Sequence, residues 1–380
     1  MAFMHECLVF RVATRHPGDT TGLSELIDSG VLRAAEILAI FGKTEGNGCV
    51  NDFTRSFAVA ALQAELAPRL DCSPREVGQR VAMVMSGGTE GGLAPHMLVL
   101  ATRELASATS PGAPRLAVGT AVTRAFDPSE IGRMAQVEAT AGAVAEAMRK
   151  ALIANVADVH FVQVKCPLLT SERVAQVHAA GGTVATHDTY KSMALSRGAS
   201  ALGIGLALGE VDPRRLTDAC IGEDLSLWSG RASASAGIEL MHNEVIVLGN
   251  SSAWGGDHVI GHSVMNDGID LPAILGLLRS LGLETDGQLA PQASGRVTAT
   301  LVKADPSRSG VIRGKRHIMW DDSDINATRH ARALVGGVVG AALGTTELFV
   351  SGGAEHQGPD GGGPIAVLVN TRPVSTQLEQ

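Results

Sequence analysis

A chain of 380 residues is too long for one small domain and can hold two or three with substantial cores. Apolar residues make up 45% and aromatics only 3%, with 45 glycines, which suits strands and helices packed through Ala, Val and Gly and argues against an aromatic platform for bases. The formal net charge of −8, with no Lys/Arg run longer than two, excludes a basic nucleic-acid footprint, so no nucleic-acid partner is expected.

The N-terminal MAFMHECLVFRV is acidic where a secretory leader is basic, and no stretch approaches 18 uninterrupted apolar residues. Five cysteines (Cys7, Cys49, Cys72, Cys166, Cys220) lie far apart without a CxxC pair. Together these features predict a soluble, reduced, cytoplasmic protein with no membrane partner. EILAIFGK then reads as a strand ending at Lys43, and NDFTRSFAVAAL carries Arg55 into an Ala-rich helix. MVMSGGTEGG runs a strand into Ser86 and Gly87, and the Ser/Gly/Pro-rich stretch 107–115 fits a linker. LAVGTAVTRAF, from Leu116, alternates like a strand, and DPSEIGRMAQVEATAGAVAEAMRKA reads as one helix capped by Asp127 or Ser129.

VHFVQVK ends at Lys165, MALSRGASALGI places Arg197 on a helix, and SASAGIE brings Ser235 and Ala236 to a strand end. LMHNEVIVLGNS gives another strand, and NSSAWGGD (250–257) a second linker. VTATLVK ends at Lys303, INATRHARALVG carries Arg329, FVSGGAEHQG brings Ser351 and Gly352 to a turn, and GGGPIAVLVN closes with a strand. Strands alternating with helices predict an α/β fold. The order Lys…Arg…Ser occurs three times, and the serine motif aligns as Ser86-Gly-Gly-Thr-Glu90, Ser235-Ala-Gly-Ile-Glu239 and Ser351-Gly-Gly-Ala-Glu355. A recurring unit of this kind predicts three homologous α/β repeat domains, at 1–106, 113–250 and 256–380, each a sheet covered by helices.

Three other motifs fail on inspection. Gly42-Lys43-Thr44 lacks the upstream glycine of a phosphate loop, since position 37 is Ile. LGIGLALG (Leu202–Gly209) lacks the last glycine of a dinucleotide turn and fits helix packing better. His5-Glu6-Cys7 and His356 have no paired ligand spacing for zinc.

A lysine at the end of a buried strand is costly while charged, and three converging lysines also repel one another, so both effects favour the free amine that a serine needs as its base. A serine on a Gly-rich turn is exposed beside unhindered N–H groups able to hold an oxyanion. Ser with Lys is thus a nucleophile–base pair, and three forked arginines suit carbonyl oxygens disposed about a ring. If the three units meet on a pseudo-threefold axis, the matching ligand is a flat ring alternating carbonyl and N–H three times.

GKTEGNGCVNDFTR, VMSGGTEG, FVQVKCPLLT, SRGASALGI, ASASAGIE, DDSDINATRHARA and VSGGAEHQGPDGGGP together resemble the cyanuric acid amidohydrolase/barbiturase family over essentially the whole chain. The resemblance implies three repeats about a pseudo-threefold axis, assembly as a homotetramer, and hydrolytic opening of cyanuric acid to carboxybiuret, which loses carbon dioxide to give biuret in s-triazine breakdown. Barbituric acid is the alternative substrate, decided near Asp324–Asn326, and a non-catalytic ring-binding sensor is the alternative class. By position the resemblance makes Ser235 the nucleophile, ahead of Ser233, and Lys165 its base. Lys43, Arg55, Ser86, Gly87, Arg197, Ala236, Lys303, Arg329, Ser351 and Gly352 then join Ser235 in binding substrate. It further implies no organic cofactor but a structural Mg²⁺ or Ca²⁺ held by Asp305, where relatives often carry Glu, and by the loop residues Ala354, Gln357, Gly358, Pro359 and Gly362. Oxygen donors on a Gly/Pro-bent loop suit such a hard cation.

Overall fold

The computed structural model describes residues 4–105 and 113–372. The first third forms strands β1 (Met4–Ala13), β2 (Ile37–Thr44), β3 (Ala82–Gly87) and β4 (His96–Leu105), in the spatial order β3-β2-β4-β1. The second forms β5 (Arg115–Val122), β6 (Val159–Pro167), β7 (Ala232–Gly237) and β8 (Glu244–Ser251), in the order β7-β6-β8-β5. A two-residue strand, β9 (Trp254–Gly255), leads to the third. There β10 (His258–Met265), β11 (Val297–Ala304), a small hairpin of β12 (Val311–Ile312) and β13 (Lys315–Arg316), β14 (Phe349–Gly352) and β15 (Gly363–Asn370) follow. Its main sheet runs β14-β11-β15-β10, so one strand order occurs three times.

The lysine strands β2, β6 and β11 lie inside their sheets and are buried almost end to end, as continuous Val/Ile/Leu/Ala runs require. Each pairs parallel with its serine strand and antiparallel with the strand on its other side. Each also has a register irregularity at the same place, between Ile37 and Ala39, Val159 and Phe161, and Val297 and Ala299. A parallel partner demands a crossover, and the helices Thr54–Arg69, Thr189–Ala207 and Ala327–Leu343 lie along these three connections. Asp188 and Asn326 cap the latter two by accepting from the backbone N–H of Lys191 and Thr328. One apolar cluster joins all three sheets, including Phe41 and Val84, Val164 and Ala234, and Leu301 and Phe349. The rings of Phe41 and Phe349 lie 5.7 Å apart.

Several local expectations need correction. DPSEIGRMAQ does not continue one helix: Asp127 caps a short turn at Pro128–Glu130, Gly132 adopts a left-handed φ of 76°, and the long helix starts at Met134. Stretch 250–257 is not a free linker, because β9 pairs with β1 at His5 and Glu6, while the buried Trp254 donates its indole N–H to the Ala151 carbonyl at 2.7 Å. Most of the stretch 107–115 lies outside the described residues. LGIGLALG is helical as far as Ala207, and a methyl on Gly203 would come within 2.5 Å of the Val137 carbonyl, so that glycine serves packing against the helix Met134–Lys150. Among the described residues no helix is long and apolar enough to cross a membrane.

Candidate active site

The parallel pairing sets Lys43 opposite Ser86, Lys165 opposite Ser235 and Lys303 opposite Ser351. Each pair lies at the end of its sheet, and β3, β7 and β14 touch one another there. The three serines line a single small pocket with Arg55, Arg197 and Arg332. The Ser235 and Ser351 hydroxyls are 3.1 Å apart. All three lysines are buried. Lys43 donates to the Ser86 hydroxyl and to the Gly87 carbonyl, both at 3.3 Å. Lys303 donates to the Ser351 hydroxyl at 3.2 Å and to the carbonyls of Ala234 and Gly352 at 3.0 Å. Burial, helped by Arg332, pushes Lys43 well below the usual amine range, and burial, helped by Arg197, brings Lys303 down to about 7.

Lys165 differs. It donates to the Met85 carbonyl at 3.2 Å and forms an ion pair with Glu239 at 2.7 Å. A buried lysine either gives up its proton or finds a partner, and Lys165 is the one of the three that is ion-paired.

Two of the three arginines are held by a glutamate four residues after a serine. Arg197 forks onto Glu355 at 2.8 and 2.6 Å, and Arg332 onto Glu90 at 2.8 and 2.5 Å. Burial opposes both carboxylates, yet these guanidiniums keep them ionised and below the usual range. Arg55 has no such fork: it donates to the carbonyls of Ala236 at 3.0 Å and Cys49 at 2.8 Å.

The expected Arg329 is a correction. It binds the outer side of Glu90 at 3.0 Å with its side chain 38% exposed, and Arg332, one helical turn on, is the residue that lines the pocket. The helix starts at Ala327, behind the Asn326 cap, so the inward face falls at 332. Sequence reasoning missed Arg332 and gave no role to Glu90, Glu239 and Glu355, although their common offset from the serines was visible. The remaining predicted contacts, Gly87, Ala236 and Gly352, do lie on the pocket wall. A methyl on Gly87 would sit 1.8 Å from the Asp52 carboxylate, and one on Gly352 2.2 Å from Thr328. The second repeat has Ala236 at this position. Ser233 is fully buried two residues earlier on β7 and does not line the pocket.

Asp305 follows Lys303 at the end of β11 and faces a second cavity, of 350 Å³, with Ala354, Gly358 and Pro359. Its carboxyl accepts from Thr328 Oγ1 at 3.2 Å and Ala354 N–H at 3.1 Å. Burial, then the neighbouring Glu355, raises it to about 6, a surplus of negative charge that a cation would relieve. The loop bends through left-handed residues at His356, Gly358 and Gly361. The Gln357 side chain is engaged, accepting from Ala234 N–H at 2.7 Å and donating to the Gly353 carbonyl, which leaves its main-chain carbonyl for a ligand. The carbonyls of Ala354 and Pro359 each accept one main-chain N–H, from Gln357 and Gly362, and keep a second lone pair. The donor set is all oxygen and fits a hard divalent cation. Zinc is a different matter: among the described residues no cluster of three His, Cys, Asp or Glu exists. Both His356 ring nitrogens are taken, by Leu227 O and Gly222 N–H, and His5 packs against Trp254.

The profile of the amidohydrolase ring-opening protein family matches residues 8–370. The chain belongs to this ring-opening amidohydrolase family. Within it, a cyanuric acid amidohydrolase of Enterobacter cloacae is 53% identical over 365 residues, covering 96% of this chain and 99% of the relative. The enzyme of that name from Azorhizobium caulinodans is 54% identical over 361 residues, covering 95% and 97%. A solved cyanuric acid hydrolase, described as an innovation by structural concatenation, superposes with a TM-score of 0.93 at 51% identity, covering 97% of this chain and all of that one. The solved cyanuric acid hydrolase of A. caulinodans superposes at 0.88 and 51% identity, covering 97% and 99%.

Proposed function

We propose that this ring-opening amidohydrolase hydrolyses one C–N bond of cyanuric acid, giving carboxybiuret, which loses carbon dioxide to leave biuret. One observation carries the reading: three Ser–Lys pairs in identical register converge on one pocket, in a chain more than half identical to enzymes named for that reaction.

Ser235 attacks a ring carbonyl as Lys165, in its amine form, takes the hydroxyl proton, so a C–O bond forms and the carbonyl oxygen becomes an oxyanion. Backbone N–H groups beside the serines and the guanidiniums of Arg55, Arg197 and Arg332 hold the ring oxygens. Collapse breaks the C–N bond, with the Lys165 proton passing to the leaving nitrogen. Water then displaces the serine oxygen and releases the acyl group. Ser235 is given this role because the resemblance assigns the chemistry to the pair of the second repeat, whose lysine is also the one with different partners from the other two. Lys43–Ser86 and Lys303–Ser351 bind the other two edges of the ring.

Mg²⁺ or Ca²⁺ would be held by Asp305 and by main-chain oxygens of Ala354, Gln357, Gly358, Pro359 and Gly362. Bound there, it would neutralise Asp305 and pin the loop that sets Glu355 behind Arg197. Assembly as a homotetramer follows from the resemblance and a cytoplasmic location from the scattered cysteines, and light scattering of the purified protein tests the assembly.

The deciding experiment incubates purified protein with cyanuric and barbituric acid and follows ring absorbance. Loss of cyanuric acid with formation of biuret is the expected result. Turnover of barbituric acid alone would make it a barbiturase, and tight binding of either ring without turnover would make it a sensor.

A further inference from the structure

The pseudo-threefold pattern breaks at one carboxylate. Glu355 and Glu90 each grip an arginine of another repeat, Arg197 and Arg332. The same rotation would give Glu239 to Arg55, but Glu239 turns to Lys165 of its own repeat, and Arg55 Nε is left buried without a partner. The exchange also alters the lysine. Lys43 and Lys303 donate to their own serines, whereas Lys165 donates to Glu239 and to the Met85 carbonyl.

Glu239 also faces two ways. Lys165 is fully buried, while the Glu239 side chain is 19% exposed and lines a cavity of about 490 Å³ together with Arg173, Met241, His242 and Glu244. That cavity shares no lining residue with the pocket of the three serines. The charged groups nearest the carboxylate are Lys165, Arg55 and Arg173, all cationic, with Arg75 and Glu244 also on the cavity wall.

We infer that Glu239 is a positioning residue and proton outlet for Lys165, and that this third member singles out one of three near-equivalent Ser–Lys pairs for chemistry. An ammonium cannot accept the serine proton, so the proton held in the ion pair leaves first. The Lys165 N–H bond breaks as a Glu239 O–H bond forms, and the carboxyl then releases its proton to a water in the outer cavity. Lys165 is left as an amine with its lone pair free for the Ser235 hydroxyl, and Glu239 is again a carboxylate. Substrate can fill the serine pocket throughout, because the proton leaves on the other side.

The inference rests on the ring-opening reading, and steady-state kinetics on cyanuric acid separate the two. Glu239→Gln keeps the size of the side chain and loses the relay: kcat falls about 100-fold or more, with KM within about threefold of wild type. Glu90→Gln, which frees Arg332, instead raises KM. Formate restores turnover to Glu239→Ala in proportion to its concentration, a response that a purely structural carboxylate would not show. If Glu239→Gln does not fold, Glu239→Asp decides, with kcat down about tenfold at unchanged KM. A wild-type protein inert toward cyanuric acid overturns the functional reading and this inference with it. An active wild type whose Glu239 variants keep kcat, or lose it only through KM, or ignore formate, overturns the inference alone.

Discussion

At the scale of single residues, the site depends on positions that differ by one turn or one methyl group. Arg332 forks onto a buried carboxylate and lines the pocket, while Arg329 reaches the same Glu90 from its outer, more exposed side. Arg332→Ala is expected to lower kcat/KM for cyanuric acid at least 100-fold through KM, and Arg329→Ala to change it by less than about fivefold. Ser235→Ala is expected to abolish turnover with an unchanged circular dichroism spectrum, and Ser86→Ala to act mainly on KM. A dead Ser86→Ala beside an active Ser235→Ala would reverse the assignment of the nucleophile. Gly87→Ala drives a methyl against an Asp52 carboxylate that is already committed to Gly48 and Thr54 N–H groups. It costs about 1–3 kcal/mol by thermal melt, or deforms the wall beside Ser86.

At the scale of elements, much of the fold was legible. Strand-end lysines and serines stand at fixed distances from apolar runs, so EILAIFGK, VHFVQVK and VTATLVK could be placed without coordinates, and they form β2, β6 and β11. What escaped depends on phase and on distant partners. The inward face of the helix Ala327–Leu343 follows from its cap at Asn326, which decides between Arg329 and Arg332 and is invisible to a motif alignment. The contrast between Glu239 and its two counterparts involves side chains far apart in the chain, so equal offsets concealed unequal roles. Composition likewise mistook β9 for linker, because glycines surround the one residue that anchors it. Trp254→Ala removes a buried indole and its hydrogen bond, and is expected to cost about 3–5 kcal/mol, read from thermal or urea unfolding.

At the scale of the whole molecule, the three sheets share one central core, and the second and third meet again at a histidine pair. The Nδ1 atoms of His160 and His262 face each other at 2.8 Å, and burial, then Arg231 for His160 and His160 for His262, brings each down to about 4. An unfolded histidine titrates near 6.5, so between about pH 6.5 and 4 the unfolded chain binds protons that the fold refuses, and stability falls as pH falls. The loss is on the order of 1–3 kcal/mol per ring, and His160→Gln should flatten the slope of melting temperature against pH in that window. Glu36 and Glu239, each held down to about 2, add stability that is present at neutral pH and is lost as pH falls below about 4.5.

With Ser235 as the proposed nucleophile, the pocket has three similar corners but a single reactive one. A trigonal ring that drops in with any of its edges toward Ser235 presents the same carbonyl, so every rotation of the incoming molecule is productive. A ring that carries one edge of a different kind forfeits some of those landings. The resulting preference is statistical, up to about threefold or roughly 0.7 kcal/mol, and it arises before any contact distinguishes one molecule from the other.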